Sequence, residues 1–194
     1  MEWKVEMRKL KLQVQITVDG FVGGPNGELD WMTWNWDDKL KNTVNDLHDP
    51  VDTILLGRKM TEGFVAHWEN VTTTPEDPSY GFAMKMVETP KVVFSRTATT
   101  IPGKNTTVVN GNLKDEVNKL KEQDGGDIIV YGGTELVSNL IEENLIDEYN
   151  LFVNPTAIGS GGSIFAKVGG RQDLQLKQAI PFDCGVVLLQ YEKK

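Results

Sequence analysis

A glycine pair, Gly132-Gly133, separates an apolar run from a helical pattern in the stretch from Asp127 to Ile141. The run Ile128 to Tyr131 is short and rich in β-branched residues, which favours a buried strand. The residues after the glycines have the apolar spacing of one helix face. A strand that enters a helix through glycines leaves free backbone N–H groups at the positive end of the helix dipole, where a phosphate or carboxylate binds. A plain strand-to-helix turn without a ligand is the alternative.

The same arrangement occurs earlier in the chain, where the apolar run Val51 to Leu56 ends at Gly57 and a second helix begins. Here Arg58 and Lys59 place two cations beside the free N–H groups. If both helix starts lie at the same edge of a parallel sheet, they can hold the two phosphates of one pyrophosphate. The alternative for Arg58 and Lys59 is a solvated surface pair.

A third candidate for anion binding is Ser95-Arg96, which follows the short strand predicted from Lys91 to Phe94. A hydroxyl beside a guanidinium suits an additional phosphate, because arginine donates two parallel hydrogen bonds. An exposed Ser-Arg pair without a ligand is common, so this pair by itself does not establish a site.

Carboxylates and indoles lie close together between residues 30 and 38. Asp30 and Asp38 are candidates for the proton donor of a reduction, although acids near helix starts are commonly caps. Trp31 and Trp34 are candidates for a substrate pocket, because indoles stack on flat heterocycles. Packing in the core or at a subunit contact is the alternative for these tryptophans.

Two glycine-rich segments are predicted to be loops. The segment from Asp19 to Trp31 contains four glycines and a proline, and it is mobile enough to close over a ligand. A plain surface loop is the alternative. The segment at 159–162 follows a strand, but no helical pattern succeeds it, so it is not a dinucleotide-binding fingerprint.

Strand and helix patterns alternate along the chain and position these candidates. The stretch Arg8 to Val18 alternates apolar and polar residues, which predicts a strand with one buried face. Residues 69–80 are predicted to be loop, and Leu145 to Val153 a strand. The last two strands, Leu174 to Ile180 and Gly185 to Tyr191, form an antiparallel hairpin. The pattern predicts one α/β domain over residues 1–194, with a mainly parallel sheet and an antiparallel edge.

The composition excludes several classes of function. The net charge of −8 argues against a nucleic-acid partner, since nucleic-acid-binding proteins carry a basic face. No apolar run is long enough to span a membrane or to form a signal-peptide core. The lone Cys184 cannot form an internal disulfide, which fits a cytoplasmic location. The two histidines are far apart and no cysteine cluster accompanies them, so no metal site is expected.

Four stretches together resemble the dihydrofolate reductase superfamily, and most closely its branch formed by the reductase domain of the riboflavin-biosynthesis deaminase-reductase. They span nearly the whole chain in the order that the family shows. The stretches are TVDGFVGGPNGELDW at 17–31, ILLGRKMTEGF at 54–64, KVVFSRT at 91–97, and DIIVYGGTELVSNLIEENLIDEYNLFVNPTAIGSGGSIF at 127–165.

The resemblance implies a three-layer, doubly wound sheet and an NADPH-dependent reductase that acts on a small-molecule substrate. The two helix starts would hold the pyrophosphate, Ser95 and Arg96 would meet the adenosine 2′-phosphate, and the Asp19–Asp30 loop would close over the nicotinamide. A homodimer is also expected from the family, the tryptophans and the terminal hairpin. The residues implied to bind the cofactor are Thr17, Gly20, Gly57, Arg58, Lys59, Thr61, Phe94, Ser95, Arg96, Tyr131, Gly132, Gly133, Thr134, Glu135 and Leu136.

Several departures from the family leave the substrate open. Met60 stands where the family usually has a threonine, and Tyr131 stands where the riboflavin enzymes carry an acidic residue. The segment that binds the ribose phosphate in those enzymes is missing after Met60. The proline-tryptophan signature of true dihydrofolate reductases is missing before Asp37. The leading hypothesis is hydride transfer to a C=N or C=O bond of a small heterocycle. Dihydrofolate reduction proper and a non-catalytic NADP-binding regulatory module are the alternatives.

Overall fold

The structure, a computed structural model, describes residues 7–194, which contain eight strands and five helices. The strands are β1 (Leu10–Thr17), β2 (Val51–Gly57), β3 (Lys91–Phe94), β4 (Thr106–Val109), β5 (Asp127–Val130), β6 (Glu148–Asn154), β7 (Leu174–Pro181) and β8 (Val187–Lys193). The helices are α1 (Asp38–His48), α2 (Arg58–Val71), α3 (Tyr80–Glu88), α4 (Leu113–Lys121) and α5 (Thr134–Glu142).

All eight strands belong to one sheet, in the order β4-β3-β2-β5-β1-β6-β8-β7. The first six strands of that order pair in parallel, and β8 joins β6 and β7 antiparallel. Apolar side chains of α4 and α5 pack on one face of the sheet, and those of α1 and α3 on the other. The predicted α/β class, with a doubly wound, mainly parallel sheet and a C-terminal hairpin, is confirmed.

Strand β1 differs from its prediction, because both of its faces are buried rather than one. Lys11, Gln13 and Thr17, which alternate with the apolar residues, are each less than 9% exposed. The strand lies between β5 and β6, and helices cover the sheet on both sides, so its polar side chains are enclosed as well. Val18, predicted to continue the apolar face, lies beyond the strand and is exposed.

Two boundaries also differ. Residues 69–80 are not all loop, because α2 continues to Val71 and an unpredicted helix, α3, begins at Tyr80. Helix α3 is stabilised by long-range packing, since its Met86 is fully buried against the sheet. The predicted strand at Leu145 starts instead at Glu148, because Leu145 and Ile146 are buried in the connection from α5.

Residues 1–6 lie outside the described residues, so the start of the predicted domain there stays a prediction. Within residues 7–194, no helix has both the length and the apolar character that crossing a bilayer requires.

Candidate functional site

The carboxyl ends of the parallel strands meet at one edge of the sheet, and both predicted helix starts lie there. Strands β2 and β5 are neighbours, with Leu55 opposite Val130. Helix α2 follows β2 directly, and α5 follows β5 after three residues. The condition for a shared pyrophosphate site, two helix starts at the same sheet edge, is therefore met.

The two glycine turns touch each other through bare backbone. A Cβ on Gly133 would lie 3.6 Å from the Cα of Gly57, and a Cβ on Gly57 would lie 3.5 Å from the Cβ of Leu136. Gly133 has φ +85°, a conformation that other residues rarely adopt. Because both residues are glycines, no Cβ atom stands between the two helix starts, and a ligand can approach both sets of N–H groups together.

Neither helix start is capped by a side chain. Gly57 and Gly133 occupy the N-cap positions of α2 and α5, and the structure shows no side-chain hydrogen bond to either first turn within the described residues. By contrast, Asp37 caps α1 and Asn112 caps α4. Free first-turn N–H groups at the positive end of a helix dipole favour an anion. This geometry fits a pyrophosphate between Gly57 and Gly133.

The residues that begin α2 have different surroundings. Arg58 and Lys59 are exposed, and neither forms an ion pair with any part of the chain that the structure describes. Thr61 is fully buried, and its Oγ1 donates to the Gly57 carbonyl at 3.0 Å. Its hydroxyl therefore faces back along the helix, and its role in cofactor binding stays a prediction. The sulfur of Met60 lies 3.6 Å from the position that a Cβ on Gly133 would take.

Ser95 and Arg96 lie at the end of β3, which neighbours β2 at the same edge. The Ser95 hydroxyl accepts hydrogen bonds from the N–H groups of Thr97 and Ala98, and its own proton has no acceptor among residues 7–194, so it can be donated to a ligand. Arg96 Nη2 lies 3.0 Å from Oε1 of Glu135 in the first turn of α5, and the Arg96 side chain is 89% exposed. The structure therefore brings the Ser-Arg pair to the start of α5.

Thr17, at the end of β1, is committed to the turn that follows it. Its hydroxyl donates to Asp19 Oδ1 at 2.6 Å and accepts from the Phe21 N–H at 2.9 Å. Thr17 is 2% exposed, and Gly20 has φ +90° in the same turn. The Thr17 hydroxyl therefore shapes the loop, and the expected contact of Thr17 with the cofactor stays a prediction.

The glycine-rich loop after β1 is held to the loop after β6. Gly23 and Gly162 form an antiparallel bridge, in which the Val22 and Gly162 N–H groups each donate at 2.9 Å. A Cβ on Gly162 would lie 3.1 Å from Oγ1 of Thr134, so this second glycine segment lies against the start of α5. Sequence reasoning had assigned the 159–162 segment no role, because its partners are distant along the chain.

The Tyr131 side chain packs in the core, and its predicted part in cofactor binding is not tested by this packing. Its ring stacks on His48 at 6.3 Å between centroids and contacts Phe64 at 5.7 Å. Its hydroxyl is buried and has no hydrogen-bond partner among residues 7–194, and this burial raises the pKa of the phenol. The side chain belongs to the core beneath α1 to α3 and not to the strand-end edge, so only the Tyr131 backbone adjoins the glycine pair.

Phe94 and Leu136 also contribute to packing. Both belong to the core cluster on the α4–α5 face, where Leu136 is buried and Phe94 is partly buried. Their side chains are thus directed into the protein. Their expected contacts with a cofactor stay a prediction.

The predicted catalytic carboxylates are both exposed. Asp38 is the first residue of α1, and its side chain is 96% exposed with Lys41 at 3.8 Å. Asp30 lies exposed in a turn of the glycine-rich loop. Both carboxylates are therefore in contact with solvent, and their part in catalysis stays a prediction.

The two tryptophans differ in environment. Trp31 is 8% exposed, and its Nε1 donates to the Glu28 carbonyl at 3.1 Å, which anchors the loop. Trp34 is 67% exposed. Of the two, Trp34 is the side chain that is open to a planar ligand.

Two concavities of the surface lie elsewhere. One, of about 370 Å³, adjoins His48, Lys85 and Pro90 beside the amino ends of β2 and β3. The other, of about 250 Å³, lies between α2 and Pro102. Neither contains a predicted site residue, and the candidate site is an open surface at the strand ends.

Comparison with known proteins agrees with this architecture. Residues 8–188 match the family model described as the RibD C-terminal domain. The chain is 35% identical over 189 residues to the uncharacterized protein YyaP of Bacillus subtilis (strain 168). The alignment covers 96% of each chain.

Two solved structures are similar in fold. A Shewanella sp. PV-4 protein, provisionally assigned to riboflavin biosynthesis, aligns with a TM-score of 0.69 and 22% identity over 97% of this chain and 99% of its own. The Thermotoga maritima diaminohydroxyphosphoribosylaminopyrimidine deaminase/5-amino-6-(5-phosphoribosylamino)uracil reductase aligns with a TM-score of 0.66 and 15% identity, over 97% of this chain and 57% of its own.

Proposed function

Because this chain belongs to the RibD C-terminal domain family, we propose that it is an NADPH-dependent reductase of the riboflavin-biosynthesis type. Its substrate is a small heterocycle with a C=N or C=O bond, of the kind represented by 5-amino-6-(phosphoribosylamino)uracil. The Thermotoga maritima relative carries a reductase of that compound in its name, which supports the substrate class.

One observation carries the proposal: the uncapped starts of α2 and α5 meet at Gly57 and Gly133 on neighbouring parallel strands. Two sets of free N–H groups at this spacing suit a pyrophosphate. Arg58 and Lys59 add positive charge at one helix start. Arg96 provides a guanidinium for a further phosphate, which distinguishes NADPH from NADH.

The division of labour between cofactor and protein follows from these groups. NADPH supplies the hydride when it is bound. The helix starts hold its pyrophosphate, and Ser95 and Arg96 hold the adenosine 2′-phosphate. The loop after β1 is pinned at Gly23 to Gly162, which lies against the start of α5, and we expect the two loops to limit the entry of water. An ordered water supplies the proton, since Asp30 and Asp38 are both solvated.

The proposed assembly is a homodimer. The exposed Trp34 and the edge strand β7, with Leu176 51% exposed, offer surfaces for a second copy. Sedimentation at micromolar concentration should give twice the chain mass of 21.6 kDa. A species of single mass would contradict the dimer and leave the reductase assignment intact.

Cofactor binding is tested by titrating the protein with NADPH and NADH and following the reduced nicotinamide fluorescence. The proposal expects NADPH to bind in preference to NADH. The double variant Arg58→Ala/Lys59→Ala should weaken both cofactors, because the pyrophosphate is common to them. Lys104→Ala is the matched control, since this exposed cation pairs with Glu88 away from the strand ends. An unmodified protein that binds neither cofactor would overturn the assignment.

Catalysis is tested by following NADPH absorbance with a panel of acceptors that contains aminopyrimidines with and without a ribose phosphate and dihydrofolate. Oxidation with an aminopyrimidine supports the proposal. Oxidation with dihydrofolate alone supports the dihydrofolate reductase alternative. Tight NADPH binding without oxidation by any acceptor supports the regulatory module.

A further inference from the structure

The Asp19 carboxylate links two loops that are 140 positions apart in sequence. Its Oδ2 accepts from the N–H of Gly159 at 2.7 Å and of Ile158 at 3.1 Å, and its Oδ1 accepts from the Thr17 hydroxyl at 2.6 Å. Asp19 follows β1 by two residues, whereas Ile158 and Gly159 belong to the loop after β6. One exposed side chain therefore connects the ends of two neighbouring strands.

Backbone contacts extend this connection. The Val18 N–H donates to the Thr156 carbonyl at 3.0 Å, and the Gly23–Gly162 bridge lies further along the same two loops. A Cβ on Gly161 would overlap the Gly23 carbonyl oxygen, so the loops approach more closely than a side chain permits. The two segments, residues 18–24 and 156–162, form a single rim, and we keep that name for them.

The rim lies against the candidate site. Gly162 contacts Thr134, the first residue of α5, as described above. The N–H groups of Ile158 and Gly159 point at a carboxylate, and a charged acceptor makes such hydrogen bonds shorter and stronger than neutral ones. These hydrogen bonds, that of Thr17 foremost, hold the pKa of the Asp19 carboxyl below its usual range.

We propose that Asp19 is a positioning residue, whose carboxylate fastens the loop after β1 to the loop after β6 and so fixes the rim beside the start of α5. The inference rests on the proposed function for its effect on cofactor affinity, but the fastening itself does not depend on it. The loop after β1 thus does not close as an independent flap. It is held in place in advance, together with its partner loop, which reduces the ordering that a ligand must impose.

The direct test is amide hydrogen exchange by NMR in Asp19→Asn. An amide side chain keeps the size of the carboxylate but loses its charge. Its NH2 group is a donor and would face the donors that the carboxylate accepts from. The N–H groups of Ile158 and Gly159 should exchange about tenfold faster or more, as expected when a local contact is lost. The Val137 N–H, which donates to Gly133 within α5, should keep its rate and serves as the internal reference.

The functional readout is NADPH affinity. Asp19→Asn should weaken NADPH about tenfold, with the thermal unfolding midpoint close to that of the original protein. Asp46→Asn is the matched control, because Asp46 is exposed on α1 and has no hydrogen-bond partner through its carboxylate in the described part of the chain. This control should change neither exchange nor affinity.

A second variant guards against misfolding of the first. Thr17→Val removes one of the three donors and leaves the two amides, so it should give intermediate exchange at Ile158 and Gly159. Unchanged exchange in Asp19→Asn, or in Thr17→Val if the former does not fold, would overturn the fastening. Faster exchange with unchanged NADPH affinity would overturn the positioning role alone. If the original protein binds no NADPH, the proposed function fails while the exchange result still decides the fastening.

Discussion

The guanidinium of Arg96 lies 3.0 Å from the carboxylate of Glu135. Arg96 follows β3 and Glu135 belongs to α5, which follows β5, so the pair spans the end of β2, the strand between them. Both side chains are largely exposed, so the pair itself contributes little to stability. The position of the pair is what matters, because Arg96 reaches the start of α5 and the negative charge of Glu135 partly offsets the positive charge of Arg96. A bound 2′-phosphate would meet both groups.

Replacing Arg96 should therefore separate the two nicotinamide cofactors. Arg96→Ala removes a charged hydrogen bond of roughly 1.5–3 kcal/mol, so NADPH should bind about tenfold to hundredfold more weakly, while NADH changes little. Glu135→Gln should have the opposite sign, tightening NADPH by about two- to fivefold, because a competing negative charge is removed. Fluorescence titration with both cofactors measures these effects, and an equal loss of NADPH and NADH in Arg96→Ala would show that the arginine does not contact the 2′-phosphate.

The two glycines at the helix starts should respond differently to alanine. Gly133→Ala forces a side chain into φ +85° and should lower the free energy of unfolding by about 1–2 kcal/mol. Gly57→Ala meets only ordinary contacts, the nearest at 3.5 Å, and should leave stability almost unchanged. Both methyl groups lie between the helix starts, so both variants should weaken NADPH. Chemical denaturation and cofactor titration on the same samples check the pair, with Gly169→Ala as the control in open space.

Met60 offers a gain of affinity. Its sulfur lies 3.6 Å from the position that a Cβ on Gly133 would take. The resemblance described above gives a threonine at the position of Met60. Met60→Thr should add one hydrogen bond to phosphate, worth about 0.5–1.5 kcal/mol, and tighten NADPH and NADH by about two- to tenfold. Met60→Val is the control, because valine has the shape of threonine but no hydroxyl. Equal affinities of the threonine and valine variants would contradict a phosphate at this position.

His48 should make the protein less stable in acid. Burial first, and the charge of Lys85 second, lower the pKa of His48 from 6.5 to about 4. As the pH falls from 6.5 towards 4, the unfolded chain therefore takes up a proton that the folded protein refuses, and stability is lost by at most about 3 kcal/mol. The stabilisation is fully present above pH 6.5.

The variant His48→Phe should flatten this slope, because phenylalanine does not titrate and packs against Phe82 and Tyr131 in the same way. Denaturant unfolding at intervals between pH 4 and 7 measures the slope. His67→Phe, at an exposed position on α2, is the matched control and should retain it. A slope that persists unchanged in His48→Phe would assign the acid sensitivity to other groups.

The sequence by itself determined the local elements of this protein. Composition and spacing predicted the strands and helices, the glycine turns at Gly57 and Gly133, and the Ser95-Arg96 pair. Each of these features depends on residues within a few positions of each other. These signals sufficed for the α/β class and for most of the elements, but not for helix α3. They also predicted that both helix starts lie at one sheet edge, since the ends of parallel strands necessarily share an edge.

Only the tertiary structure decided how those elements are enclosed and connected. The burial of Lys11 and Gln13 depends on the central place of β1 in the sheet, and the inward direction of Tyr131 depends on His48 in a helix more than eighty residues away. Asp19 acquires its role from Gly159, to which no local pattern points. Contacts of this kind are set by strand order and packing, and a periodic pattern carries no information about which distant residue will face it.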